Sequence, residues 1–355
     1  MRLLLWHWGR RGAGPLFTAR LASALAAQPG QHVALSLAAG ADILRGPAPP
    51  PCAWAEPTYE SALGYMAQRA LSPLLRARTI GYLRALSPDL AICGMPALLD
   101  SRMRAGLVAL RIPYAVVVHD AAAHPGDSLS FRMVAQQTLL RGARHVICLS
   151  GHVESALRGQ GVERIVTLWH PPVEVGPVPP ITKRVRPHLL YFGRLLPYKG
   201  LDLLADSLDL LGPARNFDLR ICGEGPESPA LSRLRRMPGV TVENRWFDDA
   251  ELPGLLAWAD ALVLPYREAS QSGVAALAIA AGRHVLATAV GGLPEQLAGL
   301  DHAHLCAPEP GAIAAGLRGL TARLAAGGDV AAAGDARSWP VMAAALLRGV
   351  QSDKI

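Results

Sequence analysis

Apolar residues in this chain gather in short continuous runs, with longer stretches between them whose apolar positions recur at helical spacing. In the first half the runs are Leu3 to Trp8, Val33 to Leu37, Leu90 to Cys93, Tyr114 to His119, Val146 to Leu149 and Ile165 to Leu168. A second series starts at His188 to Phe192 and continues with Asp218 to Cys222, Val240 to Glu243, Ala261 to Leu264, His284 to Thr288 and a run about Leu305. Apolar runs alternating with helical spacers predict parallel, doubly wound α/β sheets. Between the two series, prolines at 171, 172, 177, 179, 180 and 187 mark a linker. The reading is therefore a first Rossmann-like domain over 1–173, a Pro-rich linker over 174–187 and a second Rossmann-like domain over 188–336. A last helix lies within 337–355.

Length and composition bound what such a chain does. At 355 residues it exceeds a comfortable single core, which supports two domains. No apolar stretch is long enough to cross a bilayer, and the order of the first residues is the reverse of a secretory signal. Cys52, Cys93, Cys148, Cys222 and Cys306 are odd in number and widely spaced, which predicts buried thiols in a reducing, cytoplasmic compartment.

Charge is unevenly spread. Residues 1–180 hold 17 Arg and no Lys against 10 Asp plus Glu, whereas residues 181–355 hold 18 basic and 18 acidic residues. The whole net charge of +7 thus sits in the first half, a field that attracts anionic partners: nucleic acid, anionic lipid or a pyrophosphate-bearing molecule. Nucleic acid is disfavoured, because the recognisable binding motifs are missing. Ser61 to Leu86 sets Arg69, Arg76, Arg78 and Arg84 among Leu63, Met66, Leu71, Leu74 and Leu75. It reads either as a basic amphipathic surface at the inner face of a plasma membrane or as a core-packed helix pair with solvated arginines.

Four constellations carry chemistry. In GRLLPYKG (Gly193 to Gly200), Arg194 ends a strand and Lys199 opens a helix, the place where phosphate is best held. Lysine occurs only at 183, 199 and 354, so a point charge stands out at 199. Next, LRICGEGP runs a strand into Gly223, Glu224 and Gly225, whose glycines predict close backbone approach to a ligand. Asp248 or Asp249 with Glu251 reads as a helix cap. The third is Leu262 to Glu295, where Glu268, Ser270, Gln271 and Ser272 precede an Ala-rich helix opened by Gly273 and Val274, whose free N–H groups face that loop. The fourth lies in the first half: Arg10, Arg11, Gly12, Ala13 and Gly14 follow the first strand, and His119 ends another, with Asp120 and then His124 beyond it.

Taken with GRLLPYKG, the third stretch resembles the donor half of the family 4 retaining glycosyltransferases, which have the GT-B fold. The resemblance implies two Rossmann-like doubly wound parallel-sheet domains facing across a crevice, the last helix crossing back to the first domain. It implies transfer of a sugar, with retention, from a nucleotide diphosphate-sugar to a polysaccharide or lipid-linked oligosaccharide acceptor. On it, Arg194 and Lys199 grip the donor pyrophosphate, and the backbone at Trp246 and Phe247 reads the base. Gly12, Ala13, Gly14, Gly193, Gly223, Glu224, Gly225, Ser270, Gln271, Ser272, Gly273 and Val274 complete the donor site. His119 lies near donor sugar and acceptor hydroxyl, and Arg10, Arg11 and His124 guide the acceptor.

One part of the family pattern is missing. Its two carboxylates, spaced eight residues apart, fall on Ala269 and Leu277 here, leaving Glu268 one residue early with a Ser-Gln-Ser-Gly wall beside it. No Asp-x-Asp triplet occurs, and His302 with His304 lack evident co-ligands, so no cofactor and no divalent metal are expected. Two rivals remain open: a nucleotide-sugar epimerase or hydrolase of the same fold, and a catalytically silent nucleotide-sugar-binding subunit.

Overall fold

The computed structural model describes residues 1–46, 48–125, 130–174, 176–182, 184–327, 330 and 335–351, the side chains of 130–132 and 335 excepted. The chain forms two compact units. The first comprises Met1–Ala123, Ser128–Trp169 and Ser338–Ile355; the second, His124–Asp127 and His170–Arg337. The second unit begins its main stretch at His170, so residues 170–173 of the predicted first domain lie in it, where the Val173 N–H donates to the Ala276 carbonyl at 3.1 Å.

Strands β1 (Arg2–His7), β2 (His32–Ala38), β3 (Trp54–Glu56), β4 (Leu90–Cys93), β5 (Tyr114–Val118), β6 (His145–Cys148) and β7 (Ile165–Thr167) make the first sheet. Its order is β3-β2-β1-β4-β5-β6-β7, and every pairing is parallel. The second sheet has β8 (His188–Phe192), β9 (Asp218–Gly223), β10 (Val240–Asn244), β11 (Ala261–Leu264), β12 (His284–Thr288) and β13 (Ala303–Cys306) in the order β10-β9-β8-β11-β12-β13, also parallel.

The helices of the first unit are α1 (Ala13–Ala26), α2 (Ala62–Ala70), α3 (Ser72–Leu86), α4 (Asp100–Ala109), α5 (Ser130–Leu140) and α6 (Gly151–Gly159). Those of the second are α7 (Leu201–Leu211), α8 (Pro229–Leu234), α9 (Leu252–Trp258), α10 (Gly273–Ala280), α11 (Leu293–Leu297) and α12 (Pro310–Ala325). The last, α13 (Trp339–Gln351), belongs to the first unit, where Met342, Ala343, Leu346 and Val350 join the core beside Leu21 and Leu25 of α1.

Strands β4, β5, β6, β11 and β12 are buried at every position, which is why they read as unbroken apolar runs. Strand β3 escaped that reading. It is three residues long between Pro51 and Pro57, and its identity comes from pairing Ser36 with Trp54 on β2 and from burial of Trp54 and Glu56. Asp248 and Glu251 form a reciprocal capping box, as the sequence predicts.

Candidate functional site

In the second sheet the strand order reverses between β8 and β11. The loops leaving their carboxyl ends run in opposite directions, and the opening this makes is where open α/β sheets hold ligands. Arg194 follows β8, and the loop Pro265 to Ser272 follows β11. The sequence therefore delivers its cations and its polar loop to one point of the second unit.

Two tyrosines organise that point. Lys199 ends a short turn (Pro197–Lys199) ahead of α7, and its Nζ lies 3.7 Å from the centre of the Tyr266 ring and 5.0 Å from that of Tyr198. Arg194 Nη2 donates to the Tyr198 hydroxyl at 2.9 Å. The His124 ring stacks on Tyr198 at 4.5 Å and 14°, with its Nδ1 3.3 Å from Glu268 Oε2. Tyr266 is fully buried, and that burial pushes its phenol pKa well up, so Lys199 faces a neutral ring.

The loop after β11 is fixed from both sides. The Arg267 N–H donates to the Tyr198 carbonyl at 2.8 Å, and Thr288 Oγ1 donates to the Tyr266 carbonyl at 2.6 Å. The Gly292 N–H donates to the Ala269 carbonyl at 2.9 Å. Gln296 of α11 accepts from the Ser272 N–H at 2.8 Å and returns its amide to the Ser272 carbonyl at 2.9 Å. So held, Ser272 caps α10 by accepting from the Ala275 N–H at 3.2 Å. Gly273 and Val274 then present first-turn N–H groups that have no acceptor within their own helix. A Cβ built at Gly273 would meet nothing within 4 Å among the described residues. Ser270 is buried, Gln271 half-buried, and the two positions where the family places carboxylates, Ala269 and Leu277, are buried apolar residues.

Gly223 and Gly225 each make a close backbone contact within the second unit. A Cβ at Gly223 would fall 1.8 Å from the Gly193 carbonyl oxygen, and one at Gly225 2.5 Å from that of Leu195. These glycines admit the neighbouring loop, and Asn244 clamps Gly225 through its N–H at 3.1 Å and carbonyl at 3.0 Å. A Cβ built at Gly193 would lie 3.5 Å from Val274 Cγ2, and Glu224 is exposed. Phe247 is buried edge-on to Phe192, with the Arg245 guanidinium 3.7 Å over its ring, while Trp246 is exposed.

His124, expected with the first domain's acceptor residues, belongs to the second unit, because its partners Tyr198 and Glu268 are there. The remaining candidates stay in the first unit. Arg10 pairs with Glu60 at 3.4 Å and Arg11 with Asp42 at 3.7 Å, which tempers the positive field expected of them. Gly12 caps α1 with φ 81°, Ala13 is exposed, and Gly14 packs under His7, whose Nε2 a Cβ would approach to 2.4 Å. His119 is buried, its Nε2 3.0 Å from the Gly94 carbonyl and its ring edge-on to Phe17 at 4.7 Å.

Sequence reasoning missed Tyr198, Tyr266, Gln296 and His7. Tyr198 sits inside the quoted PYKG and Tyr266 directly after the β11 run, but nothing in their spacing says that their rings turn toward Lys199. His302 and His304 lie beside His284, with ring centres 6.3 and 5.9 Å from it. Among the described residues, no group of three His, Cys, Asp or Glu is arranged to hold a metal ion.

Comparison with known proteins follows the same division. Residues 16–176 match the model of Glycosyltransferase Family 4, and residues 186–323 that of Glycosyl transferases group 1. A GDP-mannose:glycolipid 4-beta-D-mannosyltransferase of Xanthomonas campestris is 34% identical over 112 residues, 28% of this chain and 29% of that protein. The shared stretch thus spans under a third of that curated relative. Among solved structures, Anabaena HepE in complex with UDP and glucose superposes with TM-score 0.72 at 17% identity, covering 99% of this chain and 100% of that one. A UDP-GlcNAc 2-epimerase from Neisseria meningitidis, bound to UDP-GlcNAc, gives TM-score 0.60 at 8% identity over 99% and 100% of the two chains. The fold is that of the GT-B proteins.

Proposed function

We propose that this chain, whose two halves are glycosyltransferase domains on the GT-B fold, moves a sugar from a nucleotide diphosphate-sugar to a glycan or lipid-linked acceptor with retention of configuration. The second unit takes the donor and the first supplies the acceptor. As the bond between sugar and diphosphate breaks, negative charge gathers on the departing phosphate, and stabilising it is the largest demand of the reaction. Arg194, Lys199 and the start of α10 answer that demand with side-chain and backbone donors. Glu268, Ser270, Gln271 and Ser272 line the sugar side.

The observation that carries this reading is the convergence of Arg194 and Lys199 on Tyr198 and Tyr266, at the point where strand order reverses. Two cations held on aromatic rings beside a helix start fit a diphosphate. The relatives' donors differ in base, GDP in one name and UDP in another, so the base is chosen by experiment.

Thermal denaturation of the purified protein with UDP, GDP, ADP and dTDP tests the reading. A nucleotide at 100 times its Kd adds about 2.7 kcal/mol of stability, which raises Tm measurably. If none of the four raises it, or if Arg194→Ala with Lys199→Ala leaves the rise intact, the donor site lies elsewhere. Release of free sugar or an epimer without acceptor would point instead to a hydrolase or epimerase. Nucleotide binding without turnover would point to a silent binding subunit.

A further inference from the structure

Gln296 carries an amide into the core of the second unit. It lies on the short helix α11, whose Leu293 and Leu297 are buried among apolar neighbours, and its own side chain is buried with them. Both ends of the amide go to one residue: Oε1 accepts from the Ser272 N–H at 2.8 Å, and Nε2 donates to the Ser272 carbonyl at 2.9 Å. Among neutral side chains, only the amides of Gln and Asn set a donor and an acceptor side by side. A Leu or Met in the same space would leave two buried backbone groups of Ser272 unpaired, which is costly.

What Gln296 holds is the entry to α10. Ser272 is the N-cap of that helix, so the position of its backbone sets where the N–H groups of Gly273 and Val274 point. The start of α11 fixes the same loop, since the Gly292 N–H donates to the Ala269 carbonyl at 2.9 Å. Helix α11 therefore grips the loop twice, at Ala269 and at Ser272.

The other end of α11 is held in its turn. A helix of five residues cannot pair its last carbonyls internally, and Arg337 Nη1 donates to two of them, Glu295 at 2.9 Å and Gln296 at 3.0 Å. A cation there also suits the negative end of the helix. Arg337 is the last residue of the second unit before the chain passes at Ser338 into the first. A line of contacts thus runs from Arg337 through α11 and Gln296 to Ser272 and the start of α10.

Resting on the donor reading, we propose that Gln296 is a positioning residue for the diphosphate of the nucleotide-sugar, and that Arg337 supports it through α11. Neither touches the ligand. Gln296 fixes the Ser272 peptide, and Ser272 aims the first N–H groups of α10 at the phosphates.

The test uses the whole protein and whichever of UDP, GDP, ADP and dTDP raises its Tm most. The Kd of that nucleotide, from calorimetric titration, rises about tenfold in Gln296→Leu, the loss of one well-aligned contact to a charged group. It rises less in Arg337→Met, and the double variant is no weaker than Gln296→Leu alone, because both residues act along one route. Gln296→Glu separates positioning from packing. Ionised, its carboxylate accepts from the Ser272 N–H but opposes the Ser272 carbonyl; protonated, its carboxyl donates to that carbonyl and restores both bonds. Its Kd relative to the wild type therefore falls toward parity as pH is lowered from about 9 to about 5, the span over which a buried Glu titrates. Taking the ratio at each pH cancels the titration of Glu268, Tyr266, Glu295, Arg337 and the nucleotide, which both proteins share. The Glu variant decides the matter even where Gln296→Leu does not fold.

A Kd unchanged in Gln296→Leu, while Lys199→Ala raises it, overturns the proposal and leaves the donor reading standing. A Gln296→Glu ratio that stays flat over that pH span does the same. Additive losses in the double variant overturn the part given to Arg337. If no nucleotide binds the wild type, the donor reading fails and this proposal with it.

Discussion

Lys199 holds its ammonium 3.7 Å from the centre of the fully buried Tyr266 ring. A cation on the face of a desolvated ring gains up to about 2 kcal/mol, enough to keep a flexible side chain aimed at one place. The pair joins two loops, one after β8 and one after β11, and so couples the charge to the strands that position it.

The first expectation concerns the charge itself. If Lys199 grips the donor phosphate as proposed, a contact of roughly 1.5–3 kcal/mol, Lys199→Ala lowers turnover by about 10- to 100-fold and diminishes the nucleotide-induced rise in Tm. Lys199→Arg keeps the charge but presents a planar fork, and recovers only part of the rate. Steady-state kinetics on the three proteins decide the matter; unchanged turnover in Lys199→Ala would remove this residue from the reaction.

Tyr198 separates two contributions. Tyr198→Phe keeps the ring that His124 stacks on and loses the hydroxyl that accepts from Arg194, a hydrogen bond worth about 1 kcal/mol. Tyr198→Leu loses both. KM for the donor should rise a few-fold in the first and further in the second. Equal values for the two variants would mean that the ring does not help to hold Arg194, Lys199 and His124 in place.

Gly291 is a structural requirement of the same site. Its φ is 54°, and a Cβ there would fall 1.7 Å from the Ala269 carbonyl oxygen, a backbone atom with nowhere to go. Gly291→Ala should lower stability by about 1–3 kcal/mol and displace the loop that carries Glu268. Gly12→Ala, at φ 81° with open space around the added carbon among the described residues, carries only the conformational strain and should cost less. Thermal denaturation of the two variants reverses this ranking if the close contact is not what matters.

The histidines beside β12 and β13 predict an acid limit to stability. Burial pushes the pKa of His302 and of His304 below the usual 6.5, with His284 adding to both and Arg323 to His304. A depressed folded pKa means that the unfolded chain binds the proton first. Stability is then complete above about pH 6.5 and is lost as pH falls through the lowered folded values. His302→Asn with His304→Gln should flatten that loss. Denaturant unfolding followed from neutral to mildly acidic pH measures it, and an unchanged slope in the double variant excludes these two residues as its source.

The elements of both sheets were legible because parallel strands are buried on both faces, which leaves unbroken runs such as Tyr114 to Val118 and Ala261 to Leu264. Arg194, Lys199 and the Glu268 loop were legible because strand ends and helix starts carry their chemistry locally. Strand β3 was not, since it is too short between prolines to show a period and exists through its pairing with β2. The neighbours of Gly223 and Gly225 were not legible for a related reason: a Gly-x-Gly turn says that something comes close, and only the fold brings the Gly193 and Leu195 carbonyls there.

The sequence by itself determined the two parallel-sheet units, the GRLLPYKG cations, the start of α10 and the loss of the family's second carboxylate, all of which are written in consecutive residues. Only the tertiary structure decided that Tyr198 and Tyr266 cradle Lys199, that His124 belongs with Glu268, and that Leu63 and Met66 of α2 are exposed. Those relationships join residues as far apart as 144 positions, and burial and ring orientation are set by packing, which no local pattern records.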